Sequence, residues 1–452
     1  MSTHVRDPVT RTLNAPLLRS VVVAALGGLL FGFDTAVISG VTSSLTSMFN
    51  LSAAELGVTV SAALCGTVVG ALGAGVMGQR FGGRNSMLIL GCCYLIGAIG
   101  CAISTNWAGF LLFRFIGGLG IGGSSVIGPV YIAEIAPASW RGRLVGAFQI
   151  NIVVGILAAY LSNALIGLAS LGGHEWRWQL GVGAAPAAMF LLMLIGTPPS
   201  ARWLALRSRL EEAREVLREL GSPHPDDELR SIVASLESQS ATHSERLFQW
   251  KYRRPIALAV GLAMFNQLVG INAVLYYLND IFAMAGFDRT SQNLQAVAVG
   301  AVNLVGTLVA LSLIDRVGRR MLLLIGSVGL AACLAGIAAI FAFHDHPQWL
   351  LPLVVGYVGF FAFSQGAVIW VYLSEIFPGR VRAQGQSLGS ATHWVMNALL
   401  AAGFPLLAAR SKSAPFLLFL AVVILQFVSV LLFFPETSGV TLEKMQDRVA
   451  AE

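Results

Sequence analysis

The sequence predicts an all-α membrane protein of twelve transmembrane helices, built as two six-helix pseudo-repeats with added cytoplasmic helices. Three observations predict it. The chain is 56% hydrophobic, with a mean hydropathy of +0.74. Only 12% of its 452 residues are charged, against about 25% in a soluble domain, too few to coat a water-facing surface. Apolar stretches of about 20 residues, enough for a helix to cross about 30 Å of hydrocarbon, recur along the chain. Gly is abundant at 49 residues, but disorder requires low hydrophobicity and high charge, the reverse of this composition.

The spans fall at about 17–40, 55–79, 86–104, 107–132, 144–167, 179–197, 254–284, 292–314, 321–343, 349–373, 385–408 and 415–434. Helices satisfy their own backbone hydrogen bonds, which lipid cannot do. Residues 1–16 are polar, and the apolar stretch after them is long for a signal h-region, so it reads as an uncleaved first span. One set of loops holds Arg80, Arg84, Arg141, Arg143, Arg316, Arg319, Arg320, Arg380 and Arg382; the other holds only Arg177, Arg289, Arg410 and Lys412. The positive-inside rule then puts both termini of this multi-pass membrane protein in the cytoplasm.

This gives a first bundle at 1–199, a cytoplasmic helical linker at 200–250, a second bundle at 251–434 and a cytoplasmic tail at 435–452. Within the linker, 207–220 and 227–237 mix apolar and charged residues at helical spacing. They read as solvated connectors or, alternatively, as gating helices. The formal net charge of +6 follows from topology and implies no nucleic-acid partner. Cys65, Cys92, Cys93, Cys101 and Cys333 lie in apolar stretches without C-x-x-C spacing and read as buried thiols. Gly118-x-Gly120-x-x-Gly123 follows no strand, so its glycines serve helix packing rather than a dinucleotide. Asn50-Leu-Ser52 is a glycosylation sequon, relevant only in a eukaryotic source.

The halves repeat. Gly78-Gln-Arg-Phe-Gly-Gly-Arg84 after span two matches Asp315-Arg-Val-Gly-Arg-Arg320 after span eight. Ala133-Glu-Ile-Ala-Pro137 with Arg141 matches Ser374-Glu-Ile-Phe-Pro378 with Arg382. Gly32-Phe-Asp34 matches Gly270-Ile-Asn272. The offsets are 236, 241 and 238 residues. Two like-oriented bundles place a site near the midplane where they meet, and rocking alternates access to it.

These motifs resemble the sugar porter family of the major facilitator superfamily. Further residues carrying the likeness are 27–40, Arg114 with its following glycines, Gln267 with Gly270-Ile-Asn272, and Pro435-Glu-Thr-Ser-Gly439. The likeness covers nearly the whole chain and is closest to bacterial sugar–proton symporters. Animal facilitative glucose carriers are similar but typically carry Asn where this chain has Asp34. The resemblance implies alternating-access transport of a monosaccharide, hexose or pentose, with a proton. A uniporter, a transporter-like sugar sensor and an exporter of drugs or organic anions are the alternatives. No Walker A sequence, metal cluster or nucleophile triad is present, so no enzyme activity, cofactor or metal is expected. The expected partners are sugar, proton and lipid bilayer, around a monomer.

Asp34 lies 15 residues past Arg19, about 22 Å along a helix, and Arg114 enters to a similar depth on span four. A lone charge there costs at least about 2.5–3.5 kcal/mol, so the two should pair. The second half has neutral Asn272 and, near Val354, an apolar run instead. Asp34 is therefore the candidate proton carrier and Arg114 the partner that tunes it; a static ion pair is the alternative. Sugar recognition needs hydroxyl partners and a flat apolar face. Gln149, Asn266, Gln267, Asn272, Asn303 and Asn397 supply amides, and Trp370 and Trp394 supply faces. By resemblance, Gln149, Gln267, Asn272, Asn303, Trp370 and Trp394 fall where the family contacts sugar, and Ile156 where members place Gln or Ile. Interhelical glue is the alternative role for each amide. Three departures bear on specificity: Asn266 replaces a Gln, Ala367 stands where Pro is common, and His393 replaces an amide. His393 reads as a packing donor, a sugar contact or a pH-sensitive group.

Tyr276, one turn past Asn272, is a candidate outer gate. Arg84, Glu134, Arg141, Asp315, Arg319, Arg320, Glu375, Arg382 and Glu436 lie at helix ends, with Pro137 and Pro378 stopping the helices. They read as a latch closing the cytoplasmic mouth when the outside is open, or as topology anchors. Pro198-Pro-Ser-Ala-Arg202 lacks the Glu that the family carries after span six.

Overall fold

The computed structural model describes residues 14–137, 140–169, 171–241, 247–378 and 381–438, without the side chains of 238–241, Asp315 and Ala383. Eleven of its helical segments are long and apolar enough to cross a membrane. One of them, Ala53–Ile103, runs for 51 residues, about 77 Å at helical rise, or two crossings. It breaks at Gly82, with φ 77° and ψ 164°, a conformation essentially reserved for glycine. The break yields spans two and three and restores the count of twelve. Gly318, between spans eight and nine, has φ 91° and ψ 156°, so the repeat read from sequence recurs in the backbone angles of its two matched glycines.

The remaining spans are one (Ala15–Gly40), four (Trp107–Ile135), five (Arg141–Leu168), six (Gly172–Ile195), seven (Trp250–Tyr276), eight (Arg289–Ile314), nine (Arg319–Phe343), ten (Pro347–Glu375), eleven (Gln384–Arg410) and twelve (Ala414–Phe433). Spans one, two, four and eight start with the side-chain capping that satisfies helix-end amides. Asn14 accepts from Leu17 N ahead of Pro16. Ser52 and Glu55 form a reciprocal capping box. Asn106 caps span four and Asp288 caps span eight. Below, the tail face is the one from which span one departs, and the far face is its opposite.

Spans seven and ten are broken. Span seven stops at Leu268, turns through Gly270 at φ 98° and resumes at Ile271. A Cβ there would sit 2.2 Å from the Phe419 ring, so both angle and space demand glycine. Span ten breaks at Ser364 (φ −116°, ψ −85°) into Leu350–Phe363 and Gln365–Glu375. The bend lies three residues before Ala367 and needs no proline. In span four, Gly118 and Gly122 press on the backbone carbonyls of Ala63 and Thr67, the close helix contact expected of the glycine run.

The linker forms helices Ala201–Leu206, Leu210–Glu219 and Pro225–Ala241. Leu204, Ala213, Leu217 and Leu220 join one apolar cluster with Leu17, Met87 and Tyr131 of the first half. These helices are therefore docked on that bundle's tail face. One expectation needs correction. Cys101 and Cys333 are buried, but Cys65 and Cys92 are exposed and Cys93 is half-buried, all as free thiols. A uniformly apolar span does not reveal which of its faces looks at lipid.

Candidate functional site

Arg114 Nη1 donates to Asp34 Oδ1 at 2.6 Å, with the two side chains 6% and 16% exposed. Two residues before Asp34, Gly32 lies against the backbone of span five at Ile152 and Ile156, closely enough to exclude a Cβ, and the Ile156 side chain is buried. A cavity beside the pair is lined by Phe31, Asp34, Thr35, Arg114 and Tyr276. Tyr276 comes from the second half, so the ion pair of one bundle faces a side chain of the other.

The second half gathers the predicted amides. Asn272 Nδ2 donates to Gln267 Oε1 at 2.9 Å, and Gln267 Nε2 lies 3.1 Å from both Asn266 Oδ1 and His393 Nε2. Asn397 Nδ2 donates to the Tyr276 hydroxyl at 3.0 Å. The His393 ring sits 5.1 Å from Trp370 and 5.3 Å from Trp394, and Trp394 meets Phe31 edge-on at 5.3 Å. Asn266, Gln267, His393, Trp394 and Asn397 are buried, while Trp370 is 38% exposed. Among the described residues, Gln149, half-buried on span five, and Asn303, buried on span eight, make no hydrogen bond to this cluster. The arrangement offers amide donors and acceptors beside indole faces and carries no fixed charge of its own, the chemistry a polyol requires.

The tail-face residues pair within their own halves. In the first, Arg84 donates to the carbonyls of Leu194 and Ile195, Arg141 to Ala133 O, and Glu134 accepts from Ser200. In the second, Arg319 Nη2 meets Glu375 Oε1 at 2.9 Å, Thr437 Oγ1 donates to Glu375 Oε2, and Arg382 donates to Phe377 O. Glu436 accepts from the backbone amides of Arg319 and Arg320 at 2.9 and 3.0 Å, capping span nine. Arg320 Nη2 donates to Leu431 O. The Asp315 side chain lies outside the described residues.

Contacts between the halves gather toward the far face. Glu175 Oε1 lies 2.9 Å from Arg289 Nη2, and Tyr160 donates to Leu275 O at 3.0 Å. Span two at Gly57 abuts the carbonyl of Ala402. None of these pairs was read from sequence. Nor were Gln365 and Gln426, although both are amides inside apolar spans, the signal that identified the others.

Two pseudo-repeated six-helix bundles, with a buried amide cluster in the second and the Asp34–Arg114 pair in the first, define a secondary transporter of the major facilitator superfamily. The family model described as "Sugar (and other) transporter" matches residues 20–448, and the chain belongs to that family. It is 34% identical over 447 residues to the arabinose-proton symporter of Bacillus subtilis, spanning 97% of this chain and 96% of that protein. It is 35% identical over 465 residues to the D-xylose-proton symporter of Escherichia coli, spanning 94% of each. Among solved structures, the inward-open conformation of the xylose transporter XylE from E. coli matches with a TM-score of 0.85 at 33% identity, covering 96% of this chain and 99% of that one.

Proposed function

We propose that this protein imports a monosaccharide, hexose or pentose, together with a proton across a bacterial plasma membrane by alternating access, as a monomer. The carrying observation is the Asp34–Arg114 pair at 2.6 Å, set in one half only and facing Tyr276 of the other. An ion pair that served architecture alone would have no reason to border the moving interface. On this reading, Asp34 takes a proton when Arg114 draws away and surrenders it when Nη1 returns to Oδ1. The amides of Asn266, Gln267, Asn272 and Asn397 then hold sugar hydroxyls, Trp370 and Trp394 cover its C–H faces, and Tyr276 closes over it. The tail face is cytoplasmic, and the conformation described is the inward-facing one, with the far face shut. The charged tail-face residues serve as a latch whose partners are exchanged when the cytoplasmic mouth closes.

Pentose- and hexose-type sugars are the substrates to try first, given the arabinose and xylose symporters among the relatives. The test is Asp34→Asn in proteoliposomes. Sugar-driven proton uptake should vanish while counterflow exchange persists. Undiminished proton uptake in that variant would refute the assignment, and wild-type exchange without proton uptake would mark a uniporter.

A further inference from the structure

Span ten turns at Ser364 without the aid of proline, and the segment after the turn carries both ends of the transport machinery. Trp370 of the sugar site sits in its middle and Glu375, paired with Arg319, closes it. Kinks need an identifiable cause, and here the causes converge on Gln365, the first residue of the new helix. Its backbone carbonyl accepts from Asn266 Nδ2 at 3.2 Å. Its side-chain Nε2 donates to Gln426 Oε1 of span twelve at 3.0 Å. Spans seven, ten and twelve are thus tied at one position, and Asn266 continues the chain to Gln267 and the amide cluster.

Gln365 and Gln426 are 1% and 0% exposed. Gln365 Oε1 and Gln426 Nε2 have no hydrogen-bond partner among the described residues. Two facing amides can form two reciprocal bonds, and here one is made. Buried groups left in this state call for an explanation. A bistable element that makes one bond in one setting and two in the other supplies it.

We propose that the Gln365–Gln426 pair is the hinge clamp of span ten, positioning residues that transmit sugar occupancy at the amide cluster to the Glu375 end of the helix. The unmade bond is the one formed when the helix swings about Ser364. This rests on the sugar-transport reading above, and the test separates the two. Gln426→Met and the double variant Gln365→Met with Gln426→Met keep side-chain volume and remove the amides. The double variant leaves no orphaned amide, so it should melt no lower than the single one. If the clamp works as stated, exchange of labelled D-xylose, L-arabinose or D-glucose falls about tenfold or more in the double variant, while binding of the same sugar changes less than about threefold. Sugar-free distance distributions between spin labels at Ser47 and Ser411, on the far-face ends of the two halves, should collapse to one population. Exchange within about twofold of wild type, or exchange and binding falling together, overturns the clamp. Should the wild type exchange none of these sugars, the transport reading is what fails, and the label distances alone decide the hinge: two populations retained in the double variant overturn it.

Discussion

Neutralising Glu175 tests the far-face closure most directly. Its carboxylate lies 2.9 Å from Arg289 Nη2, and the two side chains are 8% and 47% exposed. Unit charges at this spacing attract by about 1.4 kcal/mol at a dielectric of 80 and about 6 kcal/mol at 20. Arg289 is half in water, where side-chain ordering and solvent screening offset most of the gain. The net contribution to the closed far face is therefore about 1–2 kcal/mol, a factor of about 5–30 in population. Glu175→Gln isolates the charge, because the amide still offers an acceptor to Gln179 Nε2, now 3.3 Å away. The assay is the distance distribution between spin labels at exposed Ser47 and Ser411 in lipid nanodiscs. The long-distance population should rise relative to the short one by that factor in Glu175→Gln. It should fall back in the swap Glu175→Arg with Arg289→Glu. A distribution unchanged by Glu175→Gln would show that packing, not this pair, holds the far face shut.

Three further outcomes follow from the same geometry. Gly82→Ala and Gly318→Ala place a Cβ at positive φ, 2.8 Å from the Trp203 ring and 2.7 Å from Glu436 Oε2 respectively; each should lower stability by about 1–3 kcal/mol, read as a fall in melting temperature in detergent. Glu436→Ala removes the acceptor for the first amides of span nine and should cost about 0.5–2 kcal/mol by the same measurement, with Glu436→Gln milder. The Asp288 carboxyl is held below its ordinary value of 3.8 by the Ser291 hydroxyl and by the Ser291 and Thr290 amides. Its cap is thus fully present above pH 3.8 and is lost only as pH falls through the lower folded value. Melting curves should accordingly show Asp288→Ala destabilised at pH 7 and level with wild type in strong acid.

Much of this architecture was legible in the sequence, because a bilayer imposes a length and a polarity on every span that periodicity alone need not carry. The depth arithmetic brought Asp34 and Arg114 together, since two charges at one level in lipid must pair. The motif offset that matched Gly82 to Gly318 reappears in their backbone angles. The amide cluster was found because polar groups stand out against an apolar run. What stayed hidden depends on which way a helix faces. Cys65 and Cys101 share one kind of sequence context, yet one is exposed and the other lies in the core. Glu175 and Arg289 stand at the far-face ends of spans six and eight, where charges are ordinary, and only the meeting of the halves makes them a pair. Ala367, standing where proline is common, implied a different bend in span ten, but not its place at Ser364, beside the Gln365 carbonyl that Asn266 of span seven reaches. The linker's apolar stripe was visible, but not the bundle it would cover.

The paired glycines at 82 and 318 carry a mechanical consequence. Each joins two membrane-crossing rods through one residue with no slack on either side. Such a joint makes a short fork: with one residue between them, the prongs have little length in which to slide past each other, so their rim ends travel together. Lengthening either joint by a few flexible residues would turn the fork into two loose rods, and the stroke of the carrier would be spent in the joint.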